Sequence, residues 1–410
     1  MPRRQLTPRG RLRLAVLGLS VLFATIGILG IASLGDPSPA PVPTVAPPPG
    51  PAGAHAEALP DPFAWDPARA ADFERAAAAG TSHGLYRLTP GGAQAGAART
   101  ARWRGPIEQA AKAAGVDPDT LEGLVYLESS GRDDAETPQG VDGAVGLTQI
   151  LPGTATDLLH MHVDLAASAR YGRRIARTDG RRQPARLAAL RRARARVDER
   201  FDATKSLAAT AAYLKLARST FGREDLAFVS YHMGIGNLQS VVHAYTGHSG
   251  KAADLVSQDG LSWPEMYFDS SPVRHPAAYA KLLTFGDESA NYLWKIGAAK
   301  EIMRLWRTNR PALDALVALH GAKASAEEVL HPDGSVPRFA DPGQLHAAWN
   351  HGDIVALPDR PDVTGLKRDS SMGQLAGQIG QPEGLYRGLR PEALALALYL
   401  GAQVRAMSGT

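Results

Sequence analysis

The chain has 410 residues, 44% of them hydrophobic and only 6% aromatic, with a formal net charge of +4. That length admits roughly two or three domains and at least one sizeable core, and the composition suits a helical globular protein rather than a disordered one. Cysteine is absent, which excludes disulfides, iron–sulfur clusters, thiolate zinc sites and a cysteine nucleophile, though not export.

Residues 1–13 form a basic segment carrying Arg3, Arg4, Arg9, Arg11 and Arg13, and residues 14–35 follow with no charge. About 20 apolar residues cross a bilayer as a helix, and flanking positive charge stays cytoplasmic. The expectation is a single-pass cell-membrane protein whose remaining chain lies outside the cytoplasm. The competing reading is a cleaved signal with a weak site at Gly30-Ile31-Ala32, giving a secreted protein; such segments usually hold only about 7–15 apolar residues. Residues 36–62 are a Pro/Ala-rich, semi-rigid linker. Residues 63–100 hold a short helical candidate at Pro67–Ala79 and Gly-rich connections, with no role assigned.

From Arg102 the pattern is helical. "GPIEQAAKAAG" has Pro106 in a first turn and Gly115 at a stop. "VDPDTLEGLVYLESSG" restarts with Asp117 as N-cap and Pro118 at the first helical position. Further helices are expected at Lys205–Phe221, in "GREDLAFVSYHMGIG", and from about Asp287 to Arg307. Period-two alternation is scarce, so the class reads as mainly α. Between Arg170 and Arg200 lie twelve arginines against Asp179, Asp198 and Glu199. This is either a solvated helical insertion or a patch for anionic wall polymer or lipid headgroups, with nucleic acid disfavoured outside the cell. Residues 311–410 alternate helical pieces with Pro/Gly-rich turns and read as an accessory region of unassigned role.

Glu128 stands out. Leu121, Leu124 and Val125 lie seven, four and three residues before it, so all four share one helical face. A carboxyl at the edge of an apolar face is desolvated, which raises its pKa toward the value a general acid needs. Alone, this position is better read as a helix-terminal Glu meeting solvent or Arg132. Fifteen residues on, "GAVGLTQILPGTATDL" supplies small residues that permit close backbone approach and Gln149, both donor and acceptor. Downstream, "SYHMGIGN" ends a helix in glycines behind Tyr231.

These blocks in order resemble the catalytic domain of the soluble lytic transglycosylases, in the goose-type lysozyme superfamily. The matching residues are Glu128-Ser129, Ala135, Gly143 to Gln149, Pro152 to Ala155 and Ser230 to Gly236; "DESANYLWKIGAAKEI" is similar to the family's closing helix, with Tyr292 at its tyrosine. The resemblance spans roughly Arg102 to Leu305. It implies a lysozyme-like helical catalytic domain over residues 101–310, with the arginine-rich insertion at about 170–200. Departures are Thr148 for Met, His232 for Asn and Met233 for Ala, plus a longer gap after Glu128; Thr148 and His232 are expected near the groove.

The resemblance implies cleavage of the β-1,4 bond between N-acetylmuramic acid and N-acetylglucosamine of peptidoglycan glycan strands. Glu128 would be acid and then base, giving 1,6-anhydro ends without metal or cofactor. Ser129, Gly146, Gln149, Tyr231 and Tyr292 would bind substrate or orient the acid. A hydrolytic muramidase using Asp133, Asp134, Glu136 or Asp142 as base for water is the alternative, followed by a catalytically degenerate wall-binding scaffold. A zinc peptidase built on His346 and Asp353 is disfavoured, because no histidine follows His351; His320 and His331 read as ordinary helix-end residues.

Overall fold

The structure, a computed structural model, describes residues 65–272, 274–322 and 341–356, with scattered positions from 374 to 401. The expected anchor at 14–35, the linker at 36–62 and His331 lie outside the described residues. Among the described residues no helix is long and apolar enough to cross a membrane.

The protein is mainly helical. Local signals account for many of the helix ends. Helix α1 (Ala70–Leu88) is followed by α2 (Ala93–Ala101) and α3 (Arg104–Ala114). Gly115, left-handed at φ 69°, stops α3 where the sequence places the stop. Helix α4 (Pro118–Ser129) starts with Asp117 accepting from the Asp119 and Thr120 amides and Pro118 at the first position. It stops at Ser130, whose φ of 52° is unusual for a residue with a side chain.

An antiparallel pair, α5 (Leu165–Ala176) and α6 (Pro184–Val197), makes up the arginine-rich insertion. Beyond it come α7 (Ala203–Phe221), α8 (Glu224–Met233) and α9 (Ile235–Thr246). Gly234 therefore separates two helices and Gly236 lies inside the second, rather than the pair ending the helical run. Helices α10 (Ala252–Asp259), α11 (Trp263–Phe268) and α12 (Pro276–Leu283) lead to α13 (Tyr292–Thr308) and α14 (Arg310–Gly321). A further helix covers Pro342–His351, and a two-residue antiparallel pair joins Val355–Ala356 to Gly388–Leu389.

One core unites α3, α4, α7, α8 and α13 through Ile107, Leu121, Leu124, Val125, Leu214, Phe228 and Ile296. Full burial of each such side chain stabilises the fold by about 1.5–3 kcal/mol. Helices α4 and α13 lie unusually close. A Cβ on Gly123 would stand 2.9 Å from the Ile296 carbonyl oxygen and 3.1 Å from the Lys300 nitrogen, so only glycine fits the crossing without displacement.

Residues 65–101 differ from the sequence expectation. Gly80 and Gly84 sit inside α1 rather than in connections, with nothing within 4 Å of a hypothetical Cβ at either. Packing on α13 and α14 carries the helix through them: Tyr86 shares a core with Ala299, Ile302 and Leu313. The Thr89 hydroxyl meets the Tyr126 hydroxyl at 3.2 Å, binding this segment to α4.

Candidate active site

Glu128 occupies the last turn of α4, where the helix face turns from core to surface, and its side chain is partly exposed. Leu121, Leu124 and Val125 on the same face are fully buried. Desolvation pushes the Glu128 carboxyl up to about 7, against the opposing pull of the hydrogen bond that Tyr292 donates to Oε1 at 2.5 Å. Tyr292 opens α13, and the close α4–α13 crossing delivers its hydroxyl to the end of α4. Burial and the adjacent carboxylate raise the phenol far above its ordinary value, so it stays a neutral donor.

No cation pairs with Glu128 among the described residues. Arg132, the partner suggested by sequence proximity, leaves its Nε buried without a hydrogen bond. The α13 lysines are engaged elsewhere: Lys295 with Glu288, and Lys300 with Asp117 at the far end of α4.

The other candidate residues divide by what their side chains touch. Tyr231 donates to the Thr148 carbonyl at 2.8 Å and meets the Thr210 hydroxyl at 3.1 Å. Its pKa is raised first by burial and then by the charge of Glu128, which puts it in electrostatic reach of the carboxylate. Gln149 holds a strained φ of 52°, and its amide nitrogen donates to the carbonyls of Gly146 (2.8 Å) and Ala135 (3.3 Å). The amide oxygen is what it can offer a ligand. Ser129 is buried, with its hydroxyl returned to the Val125 carbonyl at 3.2 Å. Gly146 is also buried, at φ 80°, and a Cβ there would lie 1.9 Å from the Arg200 carbonyl oxygen. The close approach that needs this glycine is therefore to the protein's own backbone, and Ser129 and Gly146 are both buried.

The two substitutions expected at the groove also part company. Thr148 is fully buried and shares a 2.6 Å hydrogen bond with Ser206 of α7, so its side chain faces the core; this corrects the expectation. His232 keeps one edge open and stacks the other side on Tyr292, with centroids 5.0 Å apart. Its Nδ1 meets the Ser289 hydroxyl at 3.0 Å, and desolvation of the packed face lowers its pKa.

Sequence reasoning misses the group that fixes the loop from Val141 to Ile150. Arg200 is fully buried and forms a two-point pair with Asp198, both contacts at 2.9 Å. Its remaining donors go to the carbonyls of Val141, Gly143 and Ile150, so all five N–H groups are used. Arg194, also buried, pairs with Glu136 at 2.5 Å, and Arg191 pairs with Asp134 at 2.5 Å. Two of the four acids weighed as a base for water are thus held by the insertion.

Among the described residues no group of three or more His, Asp or Glu side chains could hold a metal ion, His346 and Asp353 included. His320 ends α14 and is buried, stacked on Tyr86 at 4.2 Å with its Nδ1 3.2 Å from His83 Nδ1.

Residues 105–171, well under half of the chain, match a family model described as the Transglycosylase SLT domain. The matched stretch contains Glu128, Ser129, Gly146 and Gln149, while Tyr231 and Tyr292 lie beyond it. No curated protein matches the chain.

Proposed function

We propose that the protein is a peptidoglycan lytic transglycosylase, cleaving the β-1,4 bond between N-acetylmuramic acid and N-acetylglucosamine with Glu128 as the single acid–base group. The observation that carries the reading is the state of Glu128: a carboxyl raised to about 7 by burial, held by a neutral phenol and, among the described residues, paired with no cation. Such a group is protonated often enough near neutrality to donate, and ionised often enough afterwards to accept. The match to the SLT domain supports an enzyme of this general kind.

In the first step the Glu128 proton passes to the glycosidic oxygen as the bond from that oxygen to the muramoyl C1 breaks. The substrate's acetamido oxygen stabilises the electron-poor carbon. The Glu128 carboxylate then takes the proton of the muramoyl 6-hydroxyl, and O6 bonds to C1 as the acetamido oxygen leaves. Atoms balance without water, and Glu128 ends protonated for the next cycle. Tyr292 steadies the carboxylate between the steps, because its hydrogen bond strengthens when the group is charged.

Most glycosidases rely on two carboxylates. The hydrolytic alternative needs a second one near Glu128 to activate water; Asp134 and Glu136 are engaged by Arg191 and Arg194, which leaves Asp133 and Asp142 as its candidates. Digesting purified peptidoglycan with wild type and Glu128→Gln tests the reading. Turnover lost in the variant, with glycan binding retained, is expected; equal turnover would refute it.

A further inference from the structure

The arginines of residues 170–200 serve two different ends. Arg194 and Arg200 are buried and structural. Arg170, Arg173, Arg174 and Arg177 are exposed, and their spacing of i, i+3, i+4 and i+7 puts all four on one side of α5. None of the four has an ion-pair partner among the described residues, and Arg174 lies over the Tyr171 ring, 5.6 Å from its centroid. Across residues 165–197 the sole acid is Asp179, itself 3.5 Å from Arg182.

Four unneutralised charges within about 10 Å of helix repel one another weakly through solvent, and a bound polyanion would relieve that repulsion. The hairpin is also firmly seated. Asp164 donates its amide to the Val197 carbonyl at 2.7 Å, and Arg194 bonds Ser168 at 3.2 Å as well as Glu136. The stripe is therefore held in a fixed place beside the loop that follows Glu128.

We propose that this stripe is a second binding site, for a flexible polymer of polyol phosphate. Every cation in residues 165–197 is arginine and none is lysine, and arginine's planar fork matches the paired oxygens of a phosphodiester. A membrane surface fits less well. No large hydrophobic residue on the hairpin is exposed, whereas interfacial helices bury an apolar face. Single-stranded nucleic acid fits less well too, because Tyr171 is the one aromatic residue in the span and stacking platforms need several. The choice of polyol phosphate over duplex nucleic acid rests on the peptidoglycan reading of Glu128, since such polymers occur with peptidoglycan outside the cytoplasm.

The test is binding of purified poly(glycerol phosphate) to the full chain, alongside anionic phospholipid vesicles and oligonucleotides. Expected is binding to the polymer that weakens about 10- to 50-fold between about 50 and 200 mM salt, as displaced counterions would give. R170Q/R173Q/R174Q/R177Q should bind about tenfold or more weakly with a flatter salt dependence, while its turnover of polymer-free peptidoglycan is unchanged. R181Q/R182Q, in the turn outside the helices, should lose part of the affinity and guards against a folding artefact. Glu128→Gln should bind the polymer like wild type, which separates failure of this site from failure of the catalytic reading. Equal polymer binding by the fourfold variant, no binding by wild type, or a preference of wild type for vesicles or oligonucleotides would overturn the proposal.

Discussion

The Tyr292 hydroxyl and the Glu128 carboxylate meet at 2.5 Å, although 164 residues separate them in the chain. This contact joins the last turn of one helix to the first turn of another and opposes the desolvation that raises the carboxyl's pKa. Tyr292→Phe removes a donor that favours the charged form. The Glu128 pKa should then rise beyond about 7, moving the falling limb of the pH–rate profile to higher pH. A charge-assisted hydrogen bond of about 1.5–3 kcal/mol corresponds to a rate loss of about 10- to 100-fold. Steady-state rates across pH would check both effects.

Glu128 should also lower stability at high pH. Its pKa is raised in the folded protein from 4.5 to about 7, so between those values the native state binds more protons than the unfolded chain. Stability from this group is fully present below the unfolded value and is lost as pH rises through the folded one. Glu128→Gln removes the dependence. Urea unfolding should find the variant near wild type at acid pH and more stable by about 1–3 kcal/mol at mildly alkaline pH.

Gly123 sets the distance between α4 and α13. Gly123→Ala would put a methyl 2.9 Å from the Ile296 carbonyl oxygen, which backbone cannot readily avoid. The expected outcome is a loss of about 1–3 kcal/mol of stability, measured by thermal melting. A fall in turnover should accompany it, because separating the helices draws Tyr292 from Glu128.

Arg200 is expected to be more costly to lose than any exposed arginine. Arg200→Met leaves Asp198 buried without its side-chain partner and the Val141 and Gly143 carbonyls without a donor, while the Ile150 carbonyl keeps only the Val145 amide. Removing one member of a buried pair costs about 3–5 kcal/mol. Chemical denaturation should show this loss, whereas Arg173→Gln should fall within about 0.5 kcal/mol of wild type.

The sequence is most informative where the cause is local. Asp117, Pro118 and Gly115 mark helix ends because capping acts over three or four residues, and α4 and α3 begin and end accordingly. Glu128's position beside an apolar face is likewise readable from a 3.6-residue period. Its hold by a tyrosine far along the chain is suggested only by resemblance. Contacts set by tertiary packing are not visible in this way: glycines at 80 and 84 read as breaks, yet the helix runs through them because α13 and α14 cover its other face. Thr148 reads as a groove residue but is drawn inward by Ser206. The arginine run conceals two opposite fates, since nothing in its composition distinguishes the buried Arg194 and Arg200 from their exposed neighbours; the Asp198-x-Arg200 spacing is the one hint of a local pair.

The mass of the products released from purified peptidoglycan tests the single-carboxylate mechanism most directly. Wild type should yield muropeptides ending in 1,6-anhydromuramic acid, each lighter by one water than its hydrolysed counterpart, and Glu128→Gln should yield none. Products bearing only ordinary reducing ends, or anhydro products undiminished in Glu128→Gln, would contradict it.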